Sequence, residues 1–357
     1  MQDLVVVNPP IAIPLAATGG TFQSTLPATN WLDHIRVRYS LTLNNAGAKT
    51  VHADGLARTL TIRLYHGSDP IIELEGFCLK NWLELVNGRT EIYTEFTVAA
   101  GDETGTWDFI IPRAMYDLLD SEASLEDLAT GANSRIEFQY NGPTAACPTA
   151  GTTTVIGSIN VEVVTQKRDP SIPLEQVLPV IKLQQDIITD LTASTADQLR
   201  LVNPGWWYRR FMIIVEDNAT TIARSNTIVS QLQRIINQER FGKETFAGLR
   251  AQNWAQRPII GLTGPRDGIA WWFWDETRTF NPTRLLDTTK SLQSQLGFDT
   301  AAAANGIRVR VVREIVVPGK ARAVARVAAE ANRKSGGILS KLRAGSARPA
   351  KARAGVR

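Results

Sequence analysis

Most of the periodic stretches in this chain alternate apolar and polar residues with a period of two, as a strand with one buried face does. "HIRVRYSLTL" sets Ile35, Val37, Tyr39, Leu41 and Leu43 on one face and Arg36, Arg38, Ser40 and Thr42 on the other. The same alternation predicts strands at "RTLTIRLY" (58–65), "RIEFQY" (135–140), "SINVEVV" (158–164), "RRFMIIVE" (209–216) and "GIRVRVVREIVV" (306–317). Turn-forming clusters such as "NNAGAK", "HGSDP", "NGPT" and "TGPRDG" separate them. Helical spacing occurs in fewer places. "RAMYDLLDSEASLEDLATG" carries Met115, Leu118, Leu119, Leu125 and Leu128 and stops at Gly131; "NPTRLLDTTKSLQSQLG" carries Leu285, Leu286, Leu292 and Leu296 and stops at Gly297. "SNTIVSQLQRIINQERFG" (225–242) is a third candidate helix, with its β-branched residues leaving a strand open. These elements predict an all-β protein with a few inserted helices.

The chain repeats itself. Asn81-Trp82 returns as Asn253-Trp254, and Ala132-Asn133 returns as Ala304-Asn305, both 172 residues later. Trp31 before the first long strand matches Trp206 or Trp207 before "RRFMIIVE", and Trp107 in "GTWDFIIP" matches Trp271. In both halves a helix is expected after that tryptophan strand, and another strand after the helix. Repetition of this kind fixes architecture. It predicts two consecutive β-sandwiches: an extended arm (1–30), a first sandwich (31–166), a linker and lead-in (167–205), a second sandwich (206–318) and a tail (319–357). Ile35–Arg38 is also copied letter for letter at Ile307–Arg310, but the two fall at different places in this scheme.

The densest aromatic run is "AWWFW", with Trp271 and Phe273 on one face of a strand and Trp272 and Trp274 on the other. Two aromatic faces need two covers, one from the sandwich interior and one from a neighbouring element or subunit. Together with Trp107 these residues form a candidate core or interface wall. A sugar-stacking platform and a membrane anchor are the competing uses of so much indole.

Charge changes the picture only at the C-terminus. The 357 residues carry 39 Lys and Arg against 35 Asp and Glu. Eleven of those bases, against Glu330 alone, lie beyond residue 318: Lys320, Arg322, Arg326, Arg333, Lys334, Lys341, Arg343, Arg348, Lys351, Arg353 and Arg357. The remaining 28 bases and 34 acids give the body a net charge of −6. Such a tail attracts anionic lipid headgroups or nucleic-acid phosphates equally well, and a solvated tail that only aids solubility is the third reading. "KARAVARVAAEANRK" suits a short, weakly amphipathic helix, and "SARPAKARAGVR" suits disorder.

Candidate chemistry is sparse. His34, His52 and His66 form no metal-binding pair, and Cys78 and Cys147 form neither a disulfide framework nor a zinc site. Cys78 reads as a buried small hydrophobe and Cys147 as a loop residue. Asp102, Glu103 and Asp108 could offer oxygens to calcium, although a solvated hairpin turn is the simpler reading of "AAGDETGTWD". No nucleophile elbow, phosphate loop or dinucleotide fingerprint is present, so no cofactor and no enzymatic activity are expected. No apolar run is long enough for a membrane-spanning helix, and Pro9, Pro10 and Pro14 interrupt the N-terminal apolar stretch, which reads as an arm rather than a signal peptide.

Two successive sandwiches, paired tryptophans, matching inserts and the linker "DPSIPLEQVLPVIKLQQ" resemble the double jelly-roll major capsid proteins of tailless icosahedral viruses. Tectivirus and corticovirus phages with an internal membrane are examples. The resemblance covers residues 10 to 318 and implies a homotrimer that forms a pseudo-hexagonal capsomer and then a capsid lattice. It also implies termini that reach inward, a tail facing membrane or genome, other virion proteins as partners, and a virion assembled in host cytoplasm. The halves are compact and lack the long loops that build towers on such capsomers. Three other readings compete: a carbohydrate-binding or carbohydrate-cleaving β-sandwich, a nucleic-acid-binding β protein, and a cupin-type enzyme, for which the three scattered histidines supply no metal site.

Overall fold

The alternation at residues 34–43 becomes a strand of 15 residues, Trp31–Asn45, buried on one face from Leu32 to Leu43. A computed structural model describes residues 2–6, 11–13, 19–26, 31–67, 69–112, 126–127, 134–166, 180–202, 207–236, 239–240, 242–273, 286–287 and 294–317.

The first half runs β1 (Gln2–Val6), β2 (Ile11–Ile13), β3 (Gly20–Thr25), β4 (Trp31–Asn45), α1 (Gly55–Arg58), β5 (Leu60–His66), β6 (Asp69–Glu75), α2 (Gly76–Asn87), β7 (Ile92–Thr94), β8 (Gly101–Pro112), β9 (Glu126–Asp127), β10 (Arg135–Tyr140) and β11 (Thr153–Gln166). The second runs β12 (Val180–Ile188), β13 (Gln198–Val202), β14 (Trp207–Asp217), β15 (Val229–Ile236), β16 (Glu239–Arg240), β17 (Glu244–Thr245), α3 (Phe246–Gln256), β18 (Ile269–Phe273), β19 (Leu286–Asp287), β20 (Ser294–Thr300) and β21 (Ile307–Val317). Every alternating stretch read from the sequence lies within or overlaps one of these strands.

Three sheets make two sandwiches. The outer sheet of the first half has the order β1-β11-β4-β8-β7, and that of the second has β13-β20-β15-β16. Between them one sheet, β18-β14-β21-β12-β6-β5-β10-β3, passes through both halves. The halves join in it where β12 runs parallel to β6, with Leu183 opposite Ile72 and Gln184 opposite Glu73. Both halves follow one pairing scheme. β4 lies between β11 and β8 as β14 lies between β21 and β18, and β10 lies between β3 and β5 as β20 lies between β13 and β15. Even a one-residue bulge recurs: pairing skips Asp33 between Leu32 and His34, and Arg209 between Tyr208 and Arg210. This is a double jelly roll.

Two hydrophobic clusters fill it. The first gathers Tyr39, Ile62, Trp107, Phe109, Phe138 and Val161 with α2, and extends to Met212, Ile214 and Trp271 of the second half. The second gathers Phe211, Ile213, Val215, Leu232, Trp272 and Phe298 with Phe246 and Leu249 of α3. β14 therefore buries both faces, since alternate residues enter different clusters.

Among the described residues the α-helices are α1, α2 and α3, none of them in a stretch marked by helical spacing. The stretch 225–242 contains β15, whose Val229 and Leu232 enter the second core. Within the two predicted leucine helices, Glu126–Asp127 is a strand on β4, Leu286–Asp287 is a strand on β14, and Leu296 and Gly297 lie in β20. Ser294 and Gln295 also lie in β20, and the remaining residues of those stretches lie outside the described ones. Ladder pairing and burial outweigh a helical leucine spacing when a partner strand is available. α2 and α3 instead follow the β5–β6 and β15–β17 hairpins directly. α2 ends at Gly88 in the left-handed region, and α3 begins at Thr245, whose hydroxyl accepts from the Gly248 amide at 3.0 Å. α2 starts at a glycine because a Cβ on Gly76 would lie 2.3 Å from the Ala57 carbonyl oxygen.

The described parts of the N-terminal arm are strands of the first half: β1 and β2 pair with β11, and β3 pairs with β10. The lead-in 167–205 likewise contains β12 and β13.

Candidate functional site

The aromatic strand β18 ends the central sheet, so half of its backbone groups face away from a partner strand. Asn253 on α3 meets that need. Its Oδ1 accepts from the Trp271 amide at 2.7 Å and its Nδ2 donates to the Trp271 carbonyl at 3.0 Å. Trp271 and Trp272 are 5% and 3% exposed and enter different cores. Phe273 is partly buried and stacks with Trp271, the ring centroids 6.4 Å apart. Trp107 is enclosed in the first core, stacked 3.9 Å from Phe109. Trp274 and the basic residues Lys320, Arg322, Arg326, Arg333, Lys334, Lys341, Arg343, Arg348, Lys351 and Arg353 lie outside the described residues.

Register corrects the repeat. Counting from the shared bulge, Arg210 takes the place of His34, which sets Trp271 opposite Met212 as Ile110 is opposite Arg36. Trp271 therefore corresponds to Ile110, and the place of Trp107 is taken by Gly268, whose carbonyl accepts from Val215 at 2.8 Å. Similarly, the hairpin pairs Thr61–Glu75 and Tyr65–Pro70 recur as Gln231–Thr245 and Ile235–Arg240. That register sets Asn253 at Leu83, so the two Asn-Trp dipeptides are two residues out of step. Ala132-Asn133 lies outside the described residues. The strand after it, β10, corresponds to β20 and not to β21.

The outer face of the β21–β14–β18 layer meets α2, and buried charges line the meeting. Glu314 accepts from Trp82 Nε1 at 3.2 Å and from Arg209 at 2.9 Å, and also pairs with Arg210. Glu216 pairs with Arg58 and Arg310, whose guanidiniums lie 3.9 and 4.7 Å from the Phe77 ring centroid. Burial works against the Arg310 charge, but Glu216 and Glu75 outweigh it and hold its pKa above the ordinary value. Lys80 reaches Asp54 and Glu84, each at 3.1 Å; burial pulls its pKa down despite Glu84. Arg266 reaches Glu84 at 2.9 Å, and Arg224 pairs with Asp54. Backbone and histidine close the seam. His52 Nδ1 accepts from the Ile222 amide at 2.9 Å, and the Ile260 amide donates to the Gly88 carbonyl at 2.8 Å.

On the outer sheet of the first half a hollow of about 280 Å3 is walled by Arg36, Arg38, Asp108, Ile110, Glu91 and Ile92. Burial, opposed by a hydrogen bond from Asn87 and reinforced by Glu84, pushes the Glu91 carboxyl up to about 7. Ile92 is 73% exposed, and Ile260, bridged to Arg89 across the seam, is 77% exposed.

The acidic stretch of residues 102–108 is not a hairpin turn. It belongs to strand β8, which sends Asp102 and Asp108 to one face and Glu103 to the other. Asp102 accepts from Asn44 and Glu103 pairs with Lys49 at 3.3 Å. Cys78 and Cys147 are both buried thiols, Cys78 within α2. Among the described residues, no helix is long and apolar enough to cross a membrane. Sequence reasoning missed the buried charges altogether, since their partners lie up to 235 residues apart.

No protein-family model and no curated protein matches the sequence. Solved structures do. The STIV MCP shares 15% identity at a TM-score of 0.71, over 91% of this chain and 99% of its own. The PBCV-1 virus capsid shares 10% identity at a TM-score of 0.60, over 90% of this chain and 95% of its own. The major capsid protein of Bacteriophage PM2 shares 10% identity at a TM-score of 0.56, over 89% and 98%. At these identities the likeness is one of fold.

Proposed function

We propose that this chain is a viral major capsid protein, a structural rather than catalytic component of a virion. Three copies assemble into a capsomer with six near-equivalent sandwiches, which tiles an icosahedral shell as a hexamer would. The observation that carries this reading is the recurrence of one strand-pairing scheme within a single chain, down to the shared bulge. The fold likeness to capsid proteins along nine-tenths of the chain supports it. The basic tail faces an internal membrane or the genome, where its eleven cations meet anionic headgroups or phosphates.

Burial of Trp107, Trp271 and Trp272 disfavours the carbohydrate reading, which needs open indole faces beside paired acids. Native mass and electron microscopy of the purified chain test the proposal. A particle of about three times 39.2 kDa with a hexagonal outline is expected, and a monomer at every concentration would contradict it.

A further inference from the structure

Inside the chain, the β6–α2 corner of the first half docks on the second half. β6 lies beside β12, and Phe77, Trp82 and Leu85 of α2 share a cluster with Met212, Ile214 and Trp271. Each partner in this junction has a counterpart produced by the repeat, and among the described residues both counterparts are open. By the hairpin register, the counterpart of β6–α2 is β16–β17–α3, which ends the outer sheet of the second half. α2 is buried from Gly76 to Val86, whereas Ala247, Ala251, Gln252 and Ala255 of α3 are exposed.

The counterpart of β12 is β1, which ends the outer sheet of the first half. Leu4, opposite Val164, corresponds to Leu183, opposite Glu314. The counterparts of Met212, Ile214 and Trp271 are Arg36, Arg38 and Ile110, in the walls of the hollow.

We propose that a second copy of this chain fills this vacancy. α3 of one copy lies in the hollow of the next, and Gly242 and Lys243 run beside Leu4 and Val5 as Ile72 and Glu73 run beside Leu183 and Gln184. The inference rests on the capsomer reading and names the contact that builds it. The surfaces on the two sides differ, so the contact is heterologous and repeats from copy to copy around a ring. Its chemistry fits an association that must dissolve as well as form. Where the covalent junction has Met212 and Ile214 beside its buried ion pairs, the open one has Arg36 and Arg38, which stay hydrated in the free chain. Small side chains on α3 let the helix backbone approach that face closely.

Two variants of the full chain test the contact. In Leu4→Cys/Gly242→Cys, neighbouring parallel strands would bring the two Cα atoms within disulfide reach, at roughly 5 Å. Mild oxidation should yield covalent dimers and trimers joined through positions 4 and 242, while neither single variant cross-links, since Cys78 and Cys147 are buried. Ala251→Arg, on the exposed face of α3, should keep the wild-type far-ultraviolet circular dichroism and reduce the native mass from three chains to one. A wild type that is always a single chain removes the capsomer reading and this contact with it. A three-chain particle that neither cross-links through these positions nor responds to Ala251→Arg overturns the contact alone.

Discussion

The indole of Trp82 on α2 donates its N–H to the carboxylate of Glu314 on β21, at 3.2 Å across the seam between the halves. The same carboxylate holds Arg209 and Arg210, and all three charged side chains are 1% exposed. Glu314→Gln keeps the shape and removes the charge that balances two guanidiniums. Breaking a buried pair from one side costs about 3–5 kcal/mol. Denaturant unfolding should show a loss of that size, and Trp82→Phe, which removes one hydrogen bond to a charged group, should lose about 1.5–3 kcal/mol.

Asn253 acts as a substitute strand for Trp271, satisfying both of its outward backbone groups. Asn253→Leu installs the residue found at the corresponding position of α2 and leaves those two groups unpaired. A cost of about 1–3 kcal/mol for each unsatisfied group is expected. Amide hydrogen exchange at Trp271 checks it: slow exchange in the wild type, accelerated at least tenfold in the variant.

His52 must be neutral at Nδ1 to accept from Ile222. Burial, and then Arg58 and Arg308, lower its pKa from 6.5 to about 4. The folded chain therefore binds fewer protons than the unfolded one between these values. The stability due to His52 is complete above pH 6.5 and is lost as the pH falls toward 4. His52→Asn, which keeps an acceptor that does not titrate, should flatten the dependence of the unfolding midpoint on pH across that window.

Glu91 has the opposite sign. Its carboxyl titrates at about 7 when folded and at 4.5 in its ordinary state, so the folded chain holds the extra proton between those values. The contribution of Glu91 is complete below pH 4.5 and is lost as the pH rises through 7. Glu91→Gln should be more stable than the wild type at pH 8 and indistinguishable from it at pH 4.5, measured by thermal unfolding.

The strands were legible because each has one wet face, so composition alternates as the pleat does; Ile35 to Leu43 and Ile136 to Tyr140 are the plainest cases. The repeat was legible at Trp31 and Trp207, which hold the same place: each lies opposite the last residue of a two-residue strand, Asp127 and Asp287. Single-letter matches elsewhere slipped by two or three residues, because strand register and not identity is what the halves have kept. α2 is amphipathic, but it spans only 12 residues and its polar stripe of Lys80, Asn81 and Glu84 is buried in the seam rather than wet, so the usual contrast between a core face and a solvent face is missing. α3, still open on that side, is too poor in apolar residues to show a strong stripe. The hollow beside Arg36 and Arg38 was legible only as the polar face of a strand, because its other walls, Glu91 and Ile92, come from the segment after α2.

The depth at which the seam charges lie sets how the molecule answers to ionic strength. Mobile ions screen across about 8 Å of solution at physiological salt, but only where water reaches. Glu314 and its arginines lie beyond that reach, while Arg36 and Arg38 are 40% and 55% exposed. Brine should therefore leave the two halves of a chain welded together while it weakens whatever those outer arginines hold.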